Sequence, residues 1–236
     1  MKKLIWLEWK KNRIGRYIRN ALVLAVLLAL FLYAMAFFGI ANDPETGIPD
    51  AAPGMLSISA STEFLTNSAY FVFTGVMLAS FVVNAYKNGI MALMFTYPLS
   101  RKKILCSQMA SVWIFNFVAL VITKLLVYTC LFWGGKIHTA SAFPLDFHME
   151  SMSFYGSVFF TAAVVTTIGF LSLFAGLFTK SSKVAVITSF LLIFLTQGSL
   201  GDKSLAGNTT VLLILAAISL ALAVGNIAAA KKQEIF

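Results

Sequence analysis

The segment from Lys87 to Ile104 reads KNGIMALMFTYPLSRKKI and separates two long apolar runs. It is basic at both ends and apolar in the middle, so it is too short and too charged to cross a membrane as a further helix. A short helix is predicted over residues 89–96, because Pro98 pushes Tyr97 out of the helical region and lacks an amide donor. The apolar side chains that this helix would offer for docking are Ile90, Leu93, Met94 and Phe95.

Composition decides the class of protein around this segment. Of the 236 residues, 59% are hydrophobic and 11% are charged, and the mean hydropathy is +0.87. Soluble domains carry about 25% charged residues, so the chain is predicted to be an integral membrane protein. The net charge of +9 is then a signal of membrane orientation, and we expect no nucleic-acid partner.

The first 19 residues hold seven Lys or Arg interleaved with apolar and aromatic side chains. At helical spacing Leu4, Leu7, Ile14 and Ile18 share one arc, with Trp6 and Tyr17 beside it. This pattern is typical of an interfacial helix lying on an anionic membrane surface, so membrane lipid is an expected partner. The alternative is a basic flank that only orients the first membrane span.

Hydropathy predicts an all-α fold with six membrane spans in a single transmembrane domain, residues 1–236. The predicted spans are residues 20–40, 66–86, 107–132, 154–178, 184–200 and 210–230. The fifth is short enough to be tilted or partly re-entrant.

The segments between the predicted spans sort by charge. The N-terminus, residues 87–103, residues 180–183 and residues 231–232 together hold 15 of the 18 Lys and Arg. The other connections hold 7 of the 9 acidic residues. Because basic loops remain in the cytoplasm, both termini are predicted to be cytoplasmic, which agrees with an even number of spans.

Searches of the sequence for catalytic motifs find none. Lys136 follows two glycines but precedes Ile137, so there is no P-loop, and His-Glu-x-x-His and Gly-x-Ser-x-Gly are also missing. His138 and His148 are too far apart to match a zinc-ligand signature. We therefore expect no enzyme activity, no metal site and no cofactor in this chain; energy for active work would come from a partner or a gradient.

Lys124 is the one basic residue well inside a predicted span. An unpaired ammonium there costs about 2.5–3.5 kcal/mol on insertion scales. Two interpretations remain open. The side chain extends to the outer interface, or it faces a transport pathway and meets an anionic group on the substrate.

The order of these features resembles the permease subunit of an ABC-2 type ATP-binding cassette transporter, the class of small six-span permeases that includes bacitracin and lantibiotic resistance exporters. The resemblance rests on the basic, Trp-containing N-terminus and on residues 87–89. It also rests on Tyr97-Pro98-Leu99-Ser100-Arg101 leading into the third span. Gln108 departs from the family pattern, in which Lys is frequent at this position.

The resemblance implies that residues 1–19 form an elbow helix and that residues 88–97 form a cytoplasmic coupling helix, between spans 2 and 3, that inserts into a separate ATPase subunit. ATP and Mg²⁺ would be bound by that partner. A second permease subunit, identical or from a sister gene, would complete the pathway. The residues implied in ATPase coupling are Asn88, Gly89, Ile90, Leu93, Met94, Phe95, Tyr97, Pro98 and Arg101.

The expected function is that of an exporter subunit in the bacterial cell membrane, extruding an antimicrobial peptide, a drug or another amphipathic substrate. The alternatives are a gradient-driven carrier or channel, and a non-transporting sensor or assembly subunit. Carriers usually place acidic residues at mid-membrane. The predicted spans contain neither Asp nor Glu, which argues against a carrier.

Overall fold

A computed structural model describes residues 2–38, 58–84, 101–137, 147, 149, 151–179, 181–197, 199–200, 203–204 and 209–232. The regular elements within these ranges are helices and one pair of two-residue strands. The helices are α1 (Lys2–Lys11), α2 (Ile14–Phe37), α3 (Ile58–Leu78), α4 (Arg101–Ile137), α5 (Met152–Ile168), α6 (Phe170–Phe178), α7 (Ser182–Gln197) and α8 (Thr209–Lys232).

Two irregular elements complete this description. A π-helical turn, Ala79–Val83, extends α3. Strands β1 (Ser199–Leu200) and β2 (Lys203–Ser204) pair antiparallel between α7 and α8, with Leu200 opposite Lys203.

Four of the helical segments are long and apolar enough to cross a membrane: Ile14–Phe37, Ile58–Val83, Lys103–Ile137 and Met152–Phe178. Two shorter apolar helices, Ser182–Gln197 and Thr209–Gly225, fall where the fifth and sixth spans are predicted. The described fold is thus all-helical and fits a protein embedded in a membrane. The count of six spans remains a prediction.

The second apolar helix begins earlier than the predicted span 66–86. Its first two turns contain Ser, Thr and Glu63, which hydropathy assigns to a loop. The hydroxyl of Thr62 donates to the carbonyl of Ile58 at 2.8 Å, and that of Thr66 donates to the carbonyl of Thr62 at 2.6 Å. Because these hydroxyls are satisfied by their own helix, the polar turns can be buried. The expectation that no span contains an acidic residue was therefore wrong.

The predicted helix over residues 1–19 is interrupted at Asn12 and Arg13. Arg13 has a φ of 50°, in the left-handed region, and the Asn12 amide donates to the Glu8 carbonyl at 3.0 Å. These contacts end α1, and α2 begins at Ile14, six residues before the predicted start of the first span.

The core brings α3, α6 and α7 into close contact. A Cβ atom added at Gly75 of α3 would lie 2.5 Å from Cβ of Ser189 in α7, and one added at Gly176 of α6 would lie 2.7 Å from Cβ of Ala185. Only glycine fits at such distances, as at other close helix crossings. These contacts fix one face of α7 against α3 and α6, while Ile187, Leu191 and Phe194 on its other face are exposed.

Candidate functional site

The residues implied in ATPase coupling lie mostly outside the described part of the chain. This applies to Asn88, Gly89, Ile90, Leu93, Met94, Phe95, Tyr97 and Pro98. Arg101 is the first residue of α4, and its side chain also lies outside the described part. Their assignment stays a prediction.

Lys124, by contrast, is fully described and lies at the centre of a polar cluster. Its side chain is completely buried, and Nζ lies 2.5 Å from Oε2 of Glu63 in α3 and 3.1 Å from Oγ1 of Thr161 in α5. The ammonium therefore joins α4 to two neighbouring helices. Neither interpretation of Lys124 included this pairing with Glu63, and both stay predictions.

Glu63 is the residue that sequence reasoning missed. It lies five residues into α3, about 7.5 Å along the helix from Ile58. Besides Lys124, its carboxylate accepts hydrogen bonds from Asn67 Nδ2 at 3.2 Å, to Oε2, and from the Tyr128 hydroxyl at 3.4 Å, to Oε1. A buried ammonium is tolerated when an acid and hydrogen bonds compensate it.

A signal for this pairing is present in the sequence. Glu63 and Asn67 are four residues apart, and Thr62 and Thr66 repeat the same spacing, which places each pair on one helix face. An unpaired ammonium inside a membrane span is costly, so Lys124 predicts an acidic partner on a neighbouring helix. The hydroxyl side chains in residues 58–65 lower the mean hydropathy of this stretch. It was therefore assigned to a loop, and Glu63 was not recognised as the partner of Lys124.

Aromatic rings adjoin the carboxylate. Tyr128, which donates to Glu63, packs edge-on against Phe147 and Phe154, with ring centroids 4.9 Å apart in each pair. Phe147 and Phe154 are stacked at 6.0 Å, and Tyr155 contacts Phe154 at 5.6 Å. The negative end of the ion pair thus lies beside an aromatic cluster, defined here as Tyr128, Phe147, Phe154 and Tyr155.

A second polar contact lies farther along α3. The hydroxyls of Tyr70 and Thr123 are 2.7 Å apart, and both side chains are buried. Thr123 immediately precedes Lys124 in α4, so the polar groups form a continuous seam between α3 and α4. Such hydrogen bonds hold membrane helices in a fixed register.

At the other end of the bundle, α1 packs on the first turns of α4. Trp9 Nε1 donates to the carbonyl of Ser111 at 3.2 Å, and Gln108 Nε2 donates to Glu8 Oε1 at 3.4 Å. Gln108 is fully buried and Glu8 is 6% exposed. Gln108 therefore faces α1, and it is not available for contact with a partner protein.

A further contact lies near the end of α3 that leads to residue 87. The Ser182 hydroxyl, at the start of α7, donates to Oδ1 of Asn84 at 2.6 Å. Tyr17 of α2 packs edge-on against Phe81 of the π-helical turn, with centroids 5.2 Å apart. The end of the α3 segment, just before residue 85, is therefore in contact with both α2 and α7.

The chain is similar to a known protein over nearly its whole length. The chain is 26% identical over 240 residues to the uncharacterized protein YcbO of Bacillus subtilis (strain 168), covering 98% of this chain and 99% of YcbO. No family model and no solved structure matches the chain. The match extends over essentially the whole length of both proteins.

Proposed function

We propose that this protein is the permease subunit of an ATP-driven ABC-2 type exporter in the bacterial cell membrane. The apolar helices support membrane embedding, and the distribution of Lys and Arg supports cytoplasmic ends for the chain. A separate ATPase subunit would bind ATP and Mg²⁺. Two permease subunits, identical or from a sister gene, would form the pathway, and its substrate would be an antimicrobial peptide, a drug or another amphipathic molecule.

The observation that carries this proposal is the docking of α1 on the start of α4. The hydrogen bond from Trp9 to Ser111 fixes α1 against α4, the helix that follows residues 85–100 in the sequence. An exporter driven by a cytoplasmic ATPase needs its surface helix and its coupling segment at the same end of the bundle. The contact between Asn84 and Ser182 ties α7 to that end as well.

The proposal is tested by co-expressing the tagged chain with its genomic neighbours and identifying what co-purifies. We expect an ATP-binding cassette subunit and ATP hydrolysis, both lost in Phe95→Asp. Phe178→Asp is the matched control, because Phe178 is 81% exposed and ends α6 four residues before Ser182. A well-folded protein that purifies alone and without ATPase activity would overturn the proposal.

A gradient-driven carrier is the second candidate, and the pair of Glu63 and Lys124 favours it. Ionisable residues inside membrane helices are typical of ion-coupled transport. Reconstitution of the chain alone distinguishes the two candidates. Substrate uptake driven by an imposed ion gradient, without an ATPase, would support the carrier; uptake only with ATP and the ATPase would support the exporter.

A further inference from the structure

The two members of the buried ion pair differ in how far they can be reached. The side chain of Lys124 is 0% exposed, whereas that of Glu63 is 32% exposed. A molecule that approaches the pair from the surface of the bundle therefore meets the carboxylate first. The ammonium lies behind it, enclosed by α3, α4 and α5.

The two oxygens of the Glu63 carboxylate also differ in the hydrogen bonds that they accept. Oε2 accepts from Lys124 and from Asn67, at 2.5 and 3.2 Å. Among the residues that the structure describes, Oε1 accepts one hydrogen bond, from Tyr128, at the long distance of 3.4 Å. A carboxylate offers about four acceptor positions, so Oε1 retains capacity for a further positive group.

The neighbourhood of Oε1 suits a cation that carries apolar groups. The Tyr128 hydroxyl at this oxygen belongs to the aromatic cluster, whose Phe147 and Phe154 rings are each 4.9 Å from the Tyr128 ring. The faces of aromatic rings attract organic cations, and rings beside a charge are a common arrangement for binding quaternary ammonium groups. Phe147, Phe154 and Tyr155 are only partly buried, which leaves ring surface for contact.

We propose that Glu63 and the aromatic cluster form a binding site for amphipathic organic cations. The carboxylate supplies the negative charge, the rings contact the apolar groups, and Lys124 holds the carboxylate in place from inside the bundle. One of the two interpretations of Lys124 placed an anionic group of the substrate at its ammonium; the site proposed here binds a group of the opposite charge at Glu63. That such a cation is the transported substrate rests on the proposed exporter function; the binding site itself does not.

The test uses the full chain in nanodiscs of zwitterionic phosphatidylcholine, with tritiated tetraphenylphosphonium as the probe. Tetraphenylborate has nearly the same shape and the opposite charge, so it reports adsorption that depends only on hydrophobicity. We expect saturable phosphonium binding that tetraphenylborate does not displace. Glu63→Gln should weaken this binding by about tenfold or more, the size of one lost charge contact.

Lys124→Met gives the decisive comparison. It removes the internal partner and leaves the carboxylate with more negative charge for the ligand, so we expect tighter phosphonium binding than in the wild type. The double variant Glu63→Gln/Lys124→Met removes both charges and therefore avoids an unpaired buried charge. We expect it to fold and to bind phosphonium no better than Glu63→Gln.

Three results would overturn the proposal: no saturable binding to the wild type, undiminished binding to the folded double variant, or tetraphenylborate binding that is lost in Lys124→Met. The measurement contains no ATPase. A chain that binds the cation but recruits no ATPase would contradict the exporter and leave the site intact. A chain that recruits an ATPase but binds no cation would contradict the cation site and leave the exporter proposal intact.

Discussion

The Nζ atom of Lys124 lies 2.5 Å from Oε2 of Glu63, and the two residues belong to different helices that are each long enough to cross a membrane. The two charges are 61 residues apart in the chain. Their pairing fixes α3 against α4 and compensates an ammonium that would otherwise be buried alone. Loss of one partner should therefore cost more than loss of both.

The first prediction follows from this pairing. Glu63→Gln should lower the stability of the protein in mild detergent by about 3–5 kcal/mol, because it leaves the ammonium of Lys124 buried and unpaired. Lys124→Met should cost less, because the Glu63 side chain that it leaves unpaired is 32% exposed. The double variant should lose much less. The measurement is a double-mutant cycle from unfolding monitored by SDS titration. Additive losses in the double variant would mean that the two charges do not interact.

The second prediction concerns the close crossing of α3 and α7. Gly75→Ala should destabilise the protein, since the added Cβ would lie 2.5 Å from Cβ and 2.6 Å from Oγ of Ser189. Gly156→Ala is the control, because a Cβ there meets nothing within 4 Å and alanine favours the helix by about 0.5–1 kcal/mol. In thermal unfolding in detergent, Gly75→Ala should have a lower Tm than the wild type and Gly156→Ala a higher one.

The same crossing allows a rescue experiment. Ser189→Gly removes the side chain that Gly75→Ala would strike, so combining the two substitutions should restore much of the lost stability. If Gly75→Ala is as stable as the wild type, the two helices do not approach as closely as the structure describes.

The third prediction concerns the anchoring of α1. Trp9→Phe keeps the ring hydrophobic but removes the indole donor to the Ser111 carbonyl. One such hydrogen bond contributes about 0.5–1.5 kcal/mol, so α1 should separate more readily from α4. Amide hydrogen exchange in residues 4–11 should then accelerate by about threefold to tenfold, since 1.4 kcal/mol is a factor of ten.

Trp6→Phe is the matched control for this experiment. Trp6 is 59% exposed, and its ring contacts Lys10 of the same helix, with Nζ 5.2 Å from the ring centroid. Its replacement should leave exchange in α1 at the wild-type rate. Equal acceleration in both variants would mean that the helix is held by general apolar contact and not by the bond to Ser111.

The fourth prediction concerns the end of α3 that leads into residues 85–100. Ser182→Ala and Asn84→Ala should each destabilise the protein by about 0.5–1.5 kcal/mol, with a combined loss close to that of either alone, because they share one hydrogen bond. Thr179→Ala is the control, since within the described part of the chain the Thr179 hydroxyl donates locally, to the Ala175 carbonyl of α6 at 2.8 Å. If the double variant loses the sum of the two single losses, Asn84 and Ser182 do not stabilise the protein through a shared hydrogen bond.

Sequence reasoning located the apolar helices because each contributes a long run of apolar residues whose signal is local. It placed the start of α3 too late, because Ser59, Ser61, Thr62 and Glu63 lower the hydropathy of turns that are nonetheless helical. Lys124 was singled out by its charge alone. The pairing with Glu63 depends on which faces of α3 and α4 meet, and hydropathy carries no information about that contact.

The amino-acid sequence by itself determined a set of long apolar helices of the kind that a membrane accommodates, because 59% of its residues are hydrophobic and backbone groups in lipid must find hydrogen-bond partners within the protein. It also determined the sorting of basic and acidic segments. Only the tertiary structure decided that Glu63 lies against Lys124, that it covers the ammonium, and that Tyr128 of an aromatic cluster donates to its carboxylate. Those relationships arise from the contact of distant helices, and side chains from α3, α4 and α5 must meet before any of them exists.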